Sequence, residues 1–449
     1  MIKLKDPDHK RIWAMAWPSI IAGSSAPLVG LIDTWAIGHL PDAKYLAAIA
    51  FASAIFTYIF WAFGFLRMGT TGLVAQAMGL DKHQQKDNLS QIMVRTFAVA
   101  LVIGCLLIAG QSLFITIAAD YLSPPKDVFI ASYDYYNVRI WSSIATLFIY
   151  GVNGYLIGSE QAKLSLKLTV GLNVTNGLLN ILFVIGLNMG VAGVALGTVL
   201  AEWAFALIGL LILCRQIGGR LFLSALMSNA SWQADKIIDL CRMNGALLVR
   251  TLLLITAFAL VTKQAAVYGA ETMAAMQVLM VYMLLIALGL DGFAYAAEAT
   301  AGQAYGAEDR QHFKKLVNKS FYWAVGAAIV YMVIFALFSP FITNLLTDIT
   351  AVQAEVARAY IPLILLPIIG FACFQFDGIF IGATASVAMM ITMTAAFIPY
   401  VWILPHLSDQ YGITGIWWSL VIFMGLRGGA QLLWYPRLLR RLKSSNVQY

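Results

Sequence analysis

Twelve apolar runs divide this chain, and most are long enough to cross a lipid bilayer. Reading between clusters of Gly, Pro and charge, they fall at 12–38, 45–78, 89–119, 128–158, 163–187, 190–216, 236–265, 271–303, 313–344, 354–382, 385–405 and 411–436. A spanning helix needs about 20 apolar residues to cross the roughly 30 Å hydrocarbon layer. Several runs exceed that length, so some helices must tilt, kink or project beyond the membrane. A membrane barrel would instead show alternating segments of about ten residues. Of the 449 residues, 61% are hydrophobic and 11% charged, where a soluble domain carries about a quarter charged residues. An ordinary soluble enzyme is excluded, and the chain reads as an all-α polytopic membrane protein with twelve transmembrane helices. The first run, after Arg11, is too long for a signal peptide and has no small-residue cleavage pattern, so it reads as a retained span.

The basic residues orient the spans. Of the 29 Lys and Arg, 20 lie in or next to the two tails and the even-numbered connections, whereas Lys44, Lys126 and Lys263 are assigned to the odd-numbered ones. Basic residues favour the cytoplasmic side, so both termini are expected there. The net charge of +7 is explained by this topology, and no nucleic-acid partner is expected. The four cysteines (Cys105, Cys214, Cys241, Cys373) have no metal-ligand or disulfide spacing.

The two halves of the chain resemble each other. VAQAMGLDKHQQ at 74–85 aligns with AGQAYGAEDRQH at 301–312, offset 227; YGVNGYLIGS at 150–159 aligns with FQFDGIFIGA at 374–383, offset 224; GVAG at 190–193 aligns with GITG at 412–415, offset 222. Six spans per repeat is an even number, so the two six-helix bundles have the same orientation. They are expected to be related by a pseudo-two-fold axis along the membrane normal. The predicted organisation is an N-terminal lobe at 1–218 carrying the ion-coupling site, a cytoplasmic linker at 219–235 and a C-terminal lobe at 236–449.

A charge at bilayer depth costs several kcal/mol or more, so the buried acids are the candidate functional groups. Asp33 stands about 20 residues into an otherwise uncharged helix, and its repeat-related position is Leu260. Counting from the outer membrane face at 1.5 Å per residue, Asn176 and Asn180 of span 5, Thr198 of span 6 and Tyr136 of span 4 fall at similar heights to Asp33. Such a cluster suits proton exchange, because burial can raise a carboxyl pKa by several units and neutral partners can bond either protonation state. The same residue types also admit a sodium site, with Asp33 and Asn176 as ligands, or a permanently bonded structural carboxylate.

Four other acids are secondary candidates. Glu202 is four residues beyond Thr198 on one face of span 6; Asp291 and Glu298 are two turns apart on span 8. These three form a possible second relay, although Arg250 and Arg427 are available to Asp291 and Glu298 as ion-pair partners. Asp377 precedes Gly378 near the end of its span, which points to a solvated or helix-end role. Pro18 and Pro27 interrupt span 1 and make it the expected gate, since each removes a backbone hydrogen bond and bends its helix.

No phosphate-binding GxxxxGK[ST] loop, HExxH or nucleophile elbow is present. The free energy is therefore expected from an ion gradient, with a transported proton or sodium ion and no cofactor. Abundant Phe, Tyr, Trp and Met side chains (25, 19, 12 and 17) are compatible with an adaptable apolar cavity as well as with lipid packing.

FGFLRMGTTGLVAQAMG at 63–79, LDGFAYAAEATAGQAYGA at 290–307, FDGIFIGA at 376–383 and the first span with Pro18 and Asp33 resemble the multidrug and toxic compound extrusion (MATE) family, and within it the DinF (DNA-damage-inducible protein F) branch. The resemblance covers essentially the whole chain. It implies two six-helix lobes around a central cleft, alternating access, and export of cationic or amphipathic drugs against protons or sodium ions. It matches the branch's span 1 aspartate to Asp33, its first span 5 asparagine to Asn176, its span 6 threonine to Thr198 and its span 4 tyrosine to Tyr136. Relatives in the branch often carry an aspartate where this chain has Asn180, which weakens a sodium site and favours a single proton at Asp33. The acidic pair of the NorM branch is unmatched, those stretches reading MNGALLVRTLLL and LLPIIGFACF.

The expectation is a proton-coupled multidrug antiporter in a bacterial inner membrane, monomeric, surrounded by lipid and binding lipophilic or cationic small molecules. The alternatives are a sodium-coupled antiporter of the same family and a flippase for lipid-linked saccharides of the wider superfamily. An intramembrane transferase would need a polar catalytic cluster at one membrane face, and none stands out.

Overall fold

A computed structural model describes residues 6–38 and 43–442, with side chains described for all of these except 26–37, 43, 121 and 122. The chain is helical, with no strand among the described residues. The helices are α1 (Pro7–Gly38), α2 (Lys44–Met78), α3 (Lys82–Ala109), α4 (Lys126–Gly158), α5 (Ala162–Gly186), α6 (Gly190–Met227), α7 (Ala234–Val267), α8 (Ala270–Gly306), α9 (Arg310–Leu346) and α10 (Tyr360–Gly382). The final helical stretch, Ser386–Arg441, leaves helical geometry at Gly412 (φ 57°, ψ −134°) and so comprises α11 (386–411) and α12 (413–441). Glycine is the residue that adopts positive φ without a steric penalty. Two shorter helices, Gln111–Leu122 and Thr350–Arg358, complete the set; ten of the twelve predicted spans fall on one long helix each, while 89–119 runs from α3 into the first short helix and 354–382 from the second into α10. With no water inside a bilayer to bond the backbone, helices satisfy every N–H and C=O within themselves.

Three members exceed 35 residues: α6 has 38, and α8 and α9 have 37 each, about 55 Å at 1.5 Å per residue, well beyond the hydrocarbon layer. The surface is apolar where a soluble protein would be charged: Leu106, Leu113, Leu337, Phe341 and Leu345 are each more than 60% exposed. This is the pattern of helices whose outer faces meet lipid.

The helices form two compact units. One comprises residues 21–241; the other combines residues 1–20 with 242–449, so the N-terminal part of α1 belongs with the C-terminal half of the chain. The contacts explain the grouping. The Lys319 ammonium of α9 bonds Asp6 at 2.5 Å and Asp8 at 2.7 Å, Lys315 adds a 3.0 Å ion pair to Asp8, and Arg11 donates to Gln303 of α8. Burial works to raise the Asp8 carboxyl, but the bonds and charges of Lys319 and Lys315 outweigh it and hold the pKa at about 2. The 21–241 unit has its core around Met93, Leu156 and Leu213, the other around Tyr282, Tyr400 and Trp417.

The internal repeat has a physical basis inside each unit. A Cβ on Gly154 of α4 would stand 2.7 Å from the Arg67 carbonyl oxygen of α2, and one on Gly158 would stand 2.6 Å from that of Thr71. In the other unit Gly378 of α10 presses in the same way on the Ala294 carbonyl of α8, and Gly382 on that of Glu298 at 2.5 Å. The glycines differ by 224 and their partners by 227, which are the two offsets read from the sequence. Backbone-to-backbone approach at this distance leaves no room for a side chain, the small-residue packing common between membrane helices.

Candidate functional site

A polar stripe runs along one face of α5. Asn173, Asn176 and Asn180 are spaced by three and four residues, so they share that face. Asn173 Nδ2 donates to Ser25 Oγ of α1 at 2.8 Å, Asn176 Nδ2 donates to Thr198 Oγ1 of α6 at 2.9 Å, and Asn180 Nδ2 reaches Asn176 Oδ1 at 3.4 Å. Asn180 is fully buried and Asn176 is 6% exposed. Gly197 on α6 makes this possible, because any Cβ there would collide with the Asn180 carboxamide. Beyond Asn180 the helix widens into a π-helical turn at Leu182–Gly186, a feature frequent at functional sites.

The structure thus brings Asn176, Asn180 and Thr198 together. Tyr136, also fully buried, donates its hydroxyl to the Gln111 carbonyl at 3.0 Å and stacks on Phe56 with 5.1 Å between centroids. The α1 backbone is helical through Pro18, Pro27 and Asp33; the side chains of Pro27 and Asp33 lie outside the described residues. Beside Pro18, the Ser19 hydroxyl bonds the Met15 carbonyl at 2.9 Å. Ser25 does the same to Ala22 at 2.7 Å. Hydroxyls of this kind satisfy carbonyls near a proline in a membrane helix. Asn173 and Ser25 escaped the sequence reading, although the helical spacing of Asn173 from Asn176 was a signal for the first.

Glu202 sits in a different arrangement. Its carboxylate receives Arg139 at 2.8 and 3.0 Å and the Thr146 hydroxyl at 2.5 Å, with both charged side chains about nine-tenths buried. The guanidinium also lies over the rings of Phe56 and Phe60. A two-pronged pair of this geometry fixes the carboxylate in place.

The C-terminal half contains a second buried cluster, and it corrects the expectation for Asp377. Arg250 of α7, Arg427 of α12 and Gln431 of α12 all bond the Asp377 carboxylate, the last two at 2.9 and 2.7 Å. The Asp377 side chain is 13% exposed, so it is a buried anchor for two arginines and not a solvated helix end. These are the arginines that the sequence offered to Asp291 and Glu298. Asp291 shares α8 with Glu298, which is 2% exposed. Among the described residues no group of three or more His, Cys, Asp or Glu side chains could hold a metal ion.

The comparisons with known proteins agree with this architecture. The MatE family model matches residues 18–182 and 246–404, one segment in each half. The DNA damage-inducible protein F of Escherichia coli (strain K12) is 34% identical over 422 residues, covering 93% of this chain and 90% of that protein. A crystal structure of the Vibrio cholerae MATE transporter VcmN in the bent form shares the fold with a TM-score of 0.84, at 19% identity over 97% of both chains. An outward-facing multidrug resistance MATE family transporter of the MOP superfamily does so with a TM-score of 0.83, at 20% identity over 98% of this chain and 97% of that one. From its repeated apolar helices, its matching halves and these relatives, this chain is a member of the MatE family, the multidrug and toxic compound extrusion transporters, and it is not an enzyme.

Proposed function

We propose that this transporter is a proton-driven antiporter that exports cationic or amphipathic small molecules by alternating access, with Asp33 as the residue that carries the proton. The observation that supports this reading most directly is the Asn173–Ser25 bond. It sets the register of two odd-numbered spans that run in the same sense. Counting onward from it, Asp33 is eight residues along α1 and Asn180 seven along α5, a difference in height of about 1.5 Å. Asp33 is then level with a cluster of neutral amide and hydroxyl groups, Asn176, Asn180 and Thr198, which can bond a carboxylate or a carboxylic acid without pinning the charge.

The competing buried acid is occupied. Glu202 already has Arg139 as a two-pronged partner, which leaves Asp33 as the acid best suited to exchange a proton in the 21–241 unit. Pro18 and Pro27 make α1 the element whose bending protonation would bias. The basic residues orient both termini toward the cytoplasm, and the proposed location is the inner membrane of a bacterium, with the transporter as a monomer.

The test is efflux of a lipophilic cation from proteoliposomes under an imposed pH gradient. Wild type exports and Asp33→Asn does not; undiminished export by Asp33→Asn overturns the carrier assignment. Efflux driven by a sodium gradient with a protonophore present would assign the coupling ion to sodium.

A further inference from the structure

A groove of about 1200 Å³ opens between the N-terminal part of α1 and helices α8 and α9, all within the unit formed by residues 1–20 and 242–449. It is separate from the α5 stripe. Its wall on α9 runs from Asn318 to Ile334, 16 residues or about 24 Å, close to the depth of one leaflet with its headgroup zone. One end is polar and carries Asp6, His9 and Lys319. The remainder is apolar, through Trp13, Phe293 and Tyr331 down to Ile334. Its rim is exposed: Tyr322 is 70% and Val330 56% accessible.

We propose that this groove holds a single phospholipid whose head carries both a phosphate and a primary amine, lying in the leaflet that α1 enters. Charge argues for a zwitterion. Asp6 and Asp8 face Lys315 and Lys319 in one ion-pair network, two negative against two positive, so neither a net cation nor a net anion is matched. A zwitterionic head meets both signs: the Lys319 ammonium is a donor for phosphate and the Asp6 carboxylate, 39% exposed, an acceptor for the amine. His9 adds a second donor. Its Nδ1 accepts from Trp323 Nε1 at 3.1 Å, which fixes the ring proton of the neutral tautomer on Nε2.

Below the head, Trp13, Trp323 and Phe293 form one aromatic wall, with centroids 5.3 Å apart for the first pair and 6.2 Å for the second. Aromatic rings collect at this membrane level because they pair an apolar body with a polar tip. Gly326, halfway along the α9 wall, keeps the groove open: a Cβ there would touch nothing within 4 Å. The volume also exceeds the roughly 300–1,000 Å³ of a typical drug-sized pocket, which favours a lipid over a drug.

The experiment is native mass spectrometry of the full chain after reconstitution with an equimolar mixture of phosphatidylethanolamine and phosphatidylglycerol. Wild type retains one phosphatidylethanolamine in preference to phosphatidylglycerol. Gly326→Phe fills the groove and loses it, whereas Gly429→Phe, a glycine with equally open surroundings outside the groove, keeps it. Lys319→Gln weakens retention about tenfold, the factor expected for one charge-assisted hydrogen bond. Equal retention by Gly326→Phe and wild type overturns the proposal. So does equal retention of phosphatidylglycerol by wild type, or displacement of the lipid by an equimolar amount of tetraphenylphosphonium.

Discussion

Asn173 of α5 is hydrogen-bonded to Ser25 of α1 at 2.8 Å, just over two helical turns before Asp33. The bond fixes the height of one helix against the other, and with it the height of the proposed proton carrier against Asn176 and Asn180. Asn173→Ala removes it and leaves the Ser25 hydroxyl its own bond to Ala22. Such a loss costs about 1 kcal/mol. The expected outcome is folded protein with pH-driven efflux reduced several-fold, while Asn173→Asp or Asn173→Gln retains part of the rate. Efflux assays paired with thermal unfolding check this.

The Arg139–Glu202 pair predicts a large effect on folding. Glu202→Gln leaves a buried guanidinium without its counter-charge, which costs about 3–5 kcal/mol. The double variant Arg139→Met with Glu202→Leu removes both charges and is expected to recover most of the stability, since a buried pair replaced by apolar residues is often neutral or better. Unfolding midpoints in detergent measure this. Transport by the double variant then separates structure from relay: full transport assigns Glu202 to structure alone.

Gly158→Val and Gly382→Val are expected to fail alike. Each forces a side chain into a carbonyl of the facing helix, Thr71 in one unit and Glu298 in the other. Overpacking of this kind costs about 1–3 kcal/mol. Here the obstacle is backbone, which gives less than a side chain, so the upper end is expected. Yield of monodisperse protein is the readout, and a tolerant Gly382→Val would show that the two contacts are not equivalent.

The clamp between α1 and α9 should depend on acid in a defined window. Asp8 has a folded pKa of about 2 against an ordinary carboxylate value near 4, so the folded protein binds the proton more weakly. Its contribution is fully present above about pH 4 and is lost as the pH falls toward about 2. Lys319 holds the Asp6 carboxyl below its usual range as well. The difference in unfolding midpoint between wild type and Asp8→Asn is therefore expected to be constant from pH 8 to about pH 4 and to shrink from there toward about pH 2. A difference that disappears near neutral pH would contradict the assignment.

The site divided into legible and illegible parts for a physical reason. Asn176, Asn180 and Thr198 were readable because depth along a spanning helix is a count of residues, and groups at equal depth can meet. Which arginine meets which acid was not readable. Arg139 is 63 residues from Glu202 and Arg250 is 127 from Asp377, and such pairings depend on how each helix is rotated about its axis. A count gives height and no rotation, so Asp377 read as a helix end although two arginines converge on it.

The sequence by itself determined the number of spans and the duplication, since the bilayer forces each segment to satisfy its backbone locally and leaves its signature in a one-dimensional pattern. Tertiary structure alone decided that residues 1–20 belong with the C-terminal half, that α5 reaches α1 through Asn173, and that the repeated glycines are sites of backbone contact. Those facts rest on helix faces meeting across more than eighty residues of chain, and no local pattern encodes which face turns toward which.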